Sequence, residues 1–130
     1  MSGEPMLIVD DNLVNLKLIK AVLSTEEYEV RTAMTADEAL NVLETFHPRL
    51  ILMDIQLPGM DGLALTQHLK SNAETRDIII VALTAYAMKG DDERARASGC
   101  SGYITKPIDI RTFPGEVAKY LKTVQAGDPS

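Results

Sequence analysis

Leu50-Ile51-Leu52-Met53-Asp54 is the stretch on which the fold turns. Four large apolar residues run without a break into a carboxylate, and the turn-forming pairs Pro58-Gly59 and Asp61-Gly62 follow. An unbroken apolar run of this length reads as a strand buried on both faces, the kind found in a parallel sheet. A charge inside such a strand is costly. Asp54 is therefore expected at the carboxyl end of the strand, where the sheet opens to solvent and where open α/β folds bind ligands.

Working outward, Met6-Leu7-Ile8-Val9 is a second buried strand, ending in Asp10-Asp11. Residues 13–23 carry Leu16, Ile19 and Leu23 at helical spacing, with Leu13 a turn earlier. Glu29-Val30-Arg31-Thr32-Ala33 alternates polar and apolar, the pattern of an edge strand. Thr35-Ala36-Asp37-Glu38 is a capping-box pattern opening a helix whose apolar face continues through Leu40 and Leu43. Leu65 and Leu69 mark a helix after Gly62. Residues 78–83 form the longest apolar run and end in Thr84. Residues 91–98 place Asp91, Asp92 and Glu93 before Arg94 and Arg96, matching a helix dipole, with Gly99 as the stop. Gly102-Tyr103-Ile104-Thr105 is a short last strand before Lys106-Pro107, and Val117, Tyr120 and Leu121 belong to a last helix. Pro114-Gly115 lies in that helix, and proline is tolerated only in a first turn, so regular helix is expected from Thr112 or Phe113 with Thr112 as a cap.

Strands alternate with helices five times, which defines an α/β domain with a parallel sheet. Only the 29–33 strand is amphipathic, so it takes an edge. The strand order that fits is the flavodoxin-like 2-1-3-4-5, a doubly wound (βα)5 sheet whose switch point lies between strands 1 and 3.

The chain has 130 residues, enough for one domain with one core. We expect a single domain over residues 1–130, with its core at about 6–122 and a flexible small, polar tail at 123–130. No apolar run approaches the ~20 residues of a membrane span, and the first residues lack the basic head and apolar core of an export signal. Cys100 is the only cysteine, so no internal disulfide can form; these features point to the cytoplasm. A net charge of −6 argues against direct nucleic-acid binding.

Four of the five strands end in polar residues: Asp10-Asp11, Asp54, Thr84 and Lys106. In a parallel sheet these ends share one rim. Three carboxylates meeting there repel one another, by roughly 4 kcal/mol per pair at about 4 Å and an effective dielectric near 20. A hard divalent ion with oxygen ligands relieves this, and Mg²⁺ tolerates few carboxylates and several waters. A cation, a lysine and a hydroxyl around one carboxylate suit phosphoryl transfer, with the carboxylate as acceptor.

Asp10-Asp11, Asp54 with Pro58-Gly59-Met60-Asp61-Gly62 behind it, Thr84-Ala85 and Lys106-Pro107 together resemble the receiver domain of two-component response regulators, over roughly residues 6–122. The stretch 83–91, Leu83-Thr84-Ala85-Tyr86-Ala87-Met88-Lys89-Gly90-Asp91, is similar to stand-alone cell-differentiation receivers and to receivers of hybrid histidine kinases. The resemblance implies that Asp54 is the phosphoacceptor. Asp11, Asp54 and the backbone carbonyl of Gln56 would hold Mg²⁺, or Mn²⁺ in its place, with Asp10 acting through water. Lys106 would pair with Asp54 and then with a phosphoryl oxygen, and Thr84 would hydrogen-bond another. Ala85 would leave room for the donor, Tyr103 would be the switch aromatic, and the Lys106–Pro107 bond would be cis. The donor would be a phosphohistidine on a sensor histidine kinase or a histidine phosphotransfer protein. A downstream protein partner would read the face formed by residues 87–100, Tyr103 and the last helix. Arg49 stands where the family commonly has an acid, with no effect on the chemistry expected.

Such a module is not an enzyme beyond its own phosphorylation and dephosphorylation. Beginning at Met1 and carrying no effector domain after Lys122, the chain reads as a stand-alone receiver; the alternative is one excised from a hybrid histidine kinase or a multidomain regulator. An aspartyl-nucleophile phosphatase needs a second Asp two residues after the first, and Gln56 stands there. A flavin protein on this fold needs hydroxyl- and glycine-rich donors after strand 1, where Asp10-Asp11-Asn12 would repel phosphate. His47, His68, Met6, Met53 and Met88 carry no cofactor signature.

Overall fold

The structure, a computed structural model, describes residues 4–26, 28–55, 62–84, 96–97, 99–105 and 108–127, the last six as backbone. Five strands and four helices follow in the order β1 (Pro5–Val9), α1 (Leu13–Ser24), β2 (Glu29–Ala33), α2 (Ala36–Leu43), β3 (Leu50–Asp54), α3 (Gly62–Ser71), β4 (Ile79–Thr84), β5 (Gly102–Thr105) and α4 (Phe113–Gly127). All pairings are parallel, in the order β2-β1-β3-β4-β5. The strand with the alternating sequence, β2, lies at an edge as expected, and the three unbroken apolar runs are the three interior strands.

Each interior strand feeds two cores, because successive side chains leave opposite faces of the sheet. On one face Leu7, Val9, Ile51, Met53, Ile80 and Ala82 pack with Ala36 and Ala39 of α2 and Leu65 and Leu69 of α3. On the other, Met6, Ile8, Leu50, Leu52, Val81 and Leu83 pack with Leu16, Ile19 and Leu23 of α1 and Phe113, Val117 and Leu121 of α4. Met6 and Met53 are core residues, and His47 and His68 are at the surface.

Two expectations need adjusting, and a third is described only in part. Leu13 does not join the buried face of α1 but is 52% exposed; it is the first helical residue, beyond the end of β1, where the apolar sheet it could cover has stopped. Helical backbone continues to Gly127, past Lys122, where the loose tail was expected to begin; residues 128–130 lie outside the described residues. The helix expected over 91–98 is described only at Arg96 and Ala97, which are helical. The stop expected at Gly99 is present: its φ of 109° suits glycine, and its N–H donates to the Arg96 carbonyl at 3.0 Å.

α4 starts at Phe113, as Pro114 requires. The Phe113 N–H donates to the Asp109 carbonyl at 2.9 Å and the Glu116 N–H to the Thr112 carbonyl at 3.0 Å. Thr112 thus holds the cap position by its backbone, while its hydroxyl lies 3.2 Å from the Glu116 carboxylate. Arg49 sits at the opposite end of β3 from Asp54 and pairs there with Glu4 at 3.3 Å.

Candidate functional site

The rim is built by strand register. Val9 pairs with Met53, so Asp10 and Asp54 are the next residues along two neighbouring strands at the switch point. Asp54 pairs with Leu83, and Thr84 follows on β4, itself paired with Thr105 on β5. Asp10 is held at the end of β1 by its N–H, which donates to the Ala33 carbonyl at 3.0 Å.

Each acid stands in a different setting. Asp10 is fully buried, and its carboxylate accepts the Asn12 N–H at 2.9 Å. Asp11 is exposed. Asp54 ends its strand as expected, yet is only 5% exposed, so the acid lies in a recess rather than open solvent. Thr84 is likewise buried, at 4%. One carboxylate oxygen from each of Asp10, Asp11 and Asp54 lies within 4.8 Å of the others.

The same few residues supply partial compensation. Asn12 caps α1, its side chain accepting the Asn15 N–H at 3.1 Å, so α1 starts immediately after the acid pair. α3 starts at Gly62, against the Asp54 peptide. Both helices thus begin beside the backbone of the acid residues, and a helix start carries a partial positive charge. Their partial charges are smaller than three carboxylates, and the donor set is entirely hard oxygen. The residues present fit a divalent cation of the Mg²⁺ type.

Of the expected site residues, Asp10, Asp11 and Asp54 are brought together, and Thr84 ends the strand next to Asp54. Tyr103 is half-buried on β5, packed against the α2–α3 side core, and its carbonyl lies 3.5 Å from the Tyr120 hydroxyl. Gln56, Ala85, Lys106 and Pro107, and with them the cis-peptide expectation, lie outside the described residues, as does most of the 87–100 face.

Two residues that sequence reasoning passed over also border the site. From sequence Gly62 reads as a turn residue before a helix and as part of the motif behind Asp54, with no contact to Asp54 assigned to it, and Thr66 carries no reading at all. Thr66 is fully buried between Leu65 and Leu69, and its hydroxyl donates to the Gly62 carbonyl at 2.8 Å. The signal was a polar residue on the apolar stripe of a helix, four positions after the glycine that opens it.

Three carboxylates converging at the switch point of a flavodoxin-like sheet make a site suited to a divalent cation. Comparison with known proteins gives the family. The model of the response regulator receiver domain matches residues 6–118, and the chain belongs to that family. It is 45% identical over 116 residues to the polar-differentiation response regulator DivK of Brucella ovis, a match covering 89% of this chain and 94% of the relative. Among solved structures it is similar to a CheY-like receiver domain protein of Methanospirillum hungatei, with a TM-score of 0.87, 30% identity, and 98% and 100% of the two chains covered. It is also similar to the receiver domain of the sensor histidine kinase PA1611 of Pseudomonas aeruginosa, at a TM-score of 0.83 and 30% identity over 93% and 99% of the chains; that protein has a magnesium ion coordinated in its active-site cleft. The chain is thus a receiver domain of two-component signalling. No helix among the described residues is long and apolar enough to cross a membrane.

Proposed function

We propose that this chain acts as one receiver domain, residues 1–130, that takes a phosphoryl group onto Asp54 from a phosphohistidine on a sensor histidine kinase or histidine phosphotransfer protein in the cytoplasm. The observation that carries the reading is the convergence of Asp10, Asp11 and Asp54 at the switch point of the sheet. Two buried carboxylates and an exposed one, gathered where two apolar strands end, are unfavourable unless the acids have a use.

In this reading an Asp54 carboxylate oxygen forms a bond to phosphorus as the P–N bond of the phosphohistidine breaks, and the imidazole leaves with a proton. Asp11, Asp54 and the Gln56 carbonyl would hold Mg²⁺, with Asp10 supporting through water. The bound ion supplies charge neutralisation for the acids and the phosphoryl oxygens. Lys106 would take one phosphoryl oxygen, the Thr84 hydroxyl would donate to another, and Ala85 would leave the approach open. Drawing Thr84 toward the phosphoryl group frees space for Tyr103, which changes the 87–100, Tyr103 and last-helix face offered to a protein partner.

Incubation with acetyl phosphate and Mg²⁺ tests this. The parent should acquire a label that hydroxylamine removes, as acyl phosphates require, and chelation of the metal should abolish labelling. Asp54→Ala should not label; equal labelling of that variant would place the acceptor elsewhere.

A further inference from the structure

The chain leaves β3 at Ile55 and is back beside it at Gly62, whose N–H donates to the Ile55 carbonyl at 3.2 Å. The approach is close. A Cβ on Gly62 would lie 2.1 Å from the Asp54 carbonyl oxygen, 2.7 Å from the Ile55 Cα and 2.9 Å from the Asp54 carbonyl carbon. These are backbone atoms, which cannot swing aside as a flexible side chain would. Any side chain at position 62 therefore pushes the first turn of α3 off the peptide that follows Asp54.

One turn further, the Thr66 hydroxyl donates to the Gly62 carbonyl at 2.8 Å. A back-bond of this kind inside a helix does little for the helix itself and slightly disfavours it. Burying a hydroxyl among leucines is also unfavourable without a partner. Local helix stability thus does not explain Thr66, whereas its bond to the residue that covers the Asp54 peptide does. The Cys100 thiol approaches the same hydroxyl oxygen from the segment just before β5, at 3.9 Å.

The geometry points to Gly62 and Thr66 as positioning residues for the acid site: Gly62 lets α3 close directly on the Asp54–Ile55 peptide, and Thr66, bonded to the Gly62 carbonyl within the same helix, fixes the orientation of the Gly62 peptide that makes this approach. This rests on the reading of Asp54 and the adjoining Gln56 carbonyl as ligands of a divalent cation, because the covered peptide sits between them. Neither residue reaches the reacting atoms, and both act by fixing the backbone from which the ligands project.

Three variants separate positioning from bulk packing. Thr66→Val keeps the shape and removes the hydroxyl, Thr66→Ser keeps the hydroxyl, and Cys100→Ala loosens the neighbouring core while leaving the Thr66–Gly62 bond. Amide resonances of Asp54, Ile55 and Gly62 are followed by NMR without metal, then during titration with Mg²⁺ alone. Thr66→Val should shift these amides in metal-free protein and weaken Mg²⁺ binding by about 2- to 10-fold, the worth of one neutral hydrogen bond. Thr66→Ser should restore both. Cys100→Ala should lower the melting temperature and leave Mg²⁺ affinity within about twofold, since it breaks no bond to Gly62. The inference is overturned if Thr66→Val keeps the parent's resonances and affinity, or if Cys100→Ala weakens binding as much as Thr66→Val does. Gly62→Ala should be weaker still; if it does not fold, the Thr66 series decides. A parent that binds no Mg²⁺ would overturn the cation reading of the site, while the metal-free shifts would still decide whether Thr66 holds the Asp54 peptide.

Discussion

Burial pushes the Cys100 thiol above its ordinary range; the Thr66 hydroxyl and the Lys70 charge offset only part of the lost hydration. A group whose pKa is raised by folding stabilises the fold while it is protonated. For Cys100 that contribution is complete below the unfolded value of 9.0 and is lost as pH rises through the higher folded value. Tyr28 and Tyr120, both raised chiefly by burial, act in the same sense from 10.0 upward, whereas Lys70, lowered by desolvation, acts in the opposite one. The clean readout is therefore a difference. Relative to Cys100→Ala, the parent should lose unfolding free energy as pH rises above 9.0, measured by denaturant titration. The native thiol should also resist iodoacetamide at neutral pH and react fully in guanidinium; rapid native labelling would contradict its burial. At this scale the acids were legible in the sequence because a carboxylate that ends an apolar run has few places to go. Gly62 and Thr66 were not, since what matters about them is a distance to Asp54 across the chain, and a glycine before a helix looks the same whether or not anything lies against it.

Helix starts were legible where the chemistry is local. Thr35 caps α2 by accepting the Glu38 N–H at 3.1 Å, and the Glu38 carboxylate reaches back to the Met34 N–H at 2.8 Å, one residue before the amide that a standard capping box would engage. Thr35→Ala should cost about 1 kcal/mol, seen as a shift in denaturation midpoint at constant slope. In α4 the proline was the informative residue: its missing N–H costs least in a first turn, where backbone donors have no helical partner anyway. Gly115 follows inside the helix, and a Cβ there would meet nothing within 4 Å. Gly115→Ala should accordingly stabilise the fold by roughly 0.4–1 kcal/mol, through helix propensity and a less flexible unfolded chain; destabilisation would mean that position 115 is not free of neighbours. The C-terminal end of α4 was not legible. Residues 123–127, small and polar, lack the apolar periodicity that gives a helix away, and a helix already nucleated by packing at Phe113, Val117 and Leu121 can extend through them without it.

For the molecule as a whole, the order of the strands followed from their patterning: the alternating β2 takes one edge, the three unbroken apolar runs are interior, and the short β5 takes the other edge. The same topology places Asp10, Asp11 and Asp54 together only in the folded state, and this has a thermodynamic consequence. An ion that binds the native site and not the unfolded chain stabilises by mass action, by about 1.4 kcal/mol at ten times its dissociation constant and about 2.7 kcal/mol at a hundred times. For a domain of this size each kcal/mol corresponds to roughly 4 °C of melting temperature. Mg²⁺ titrated over the millimolar range should therefore raise the melting temperature progressively, without a plateau at stoichiometric metal, because an exposed site that keeps several waters binds weakly. Asp11→Asn is the decisive variant, since Asp11 is the exposed member of the cluster and its replacement leaves the core intact. Without metal it should melt at or above the parent's temperature, one source of carboxylate repulsion having been removed. With metal it should gain much less than the parent, so the two melting curves exchange order as Mg²⁺ is added. Asp61→Asn should follow the parent throughout. A crossover requires that Asp11 be unfavourable in the empty site and favourable in the loaded one. A residue with a merely structural role would lower both curves together, and parallel curves would put the ion somewhere other than this rim.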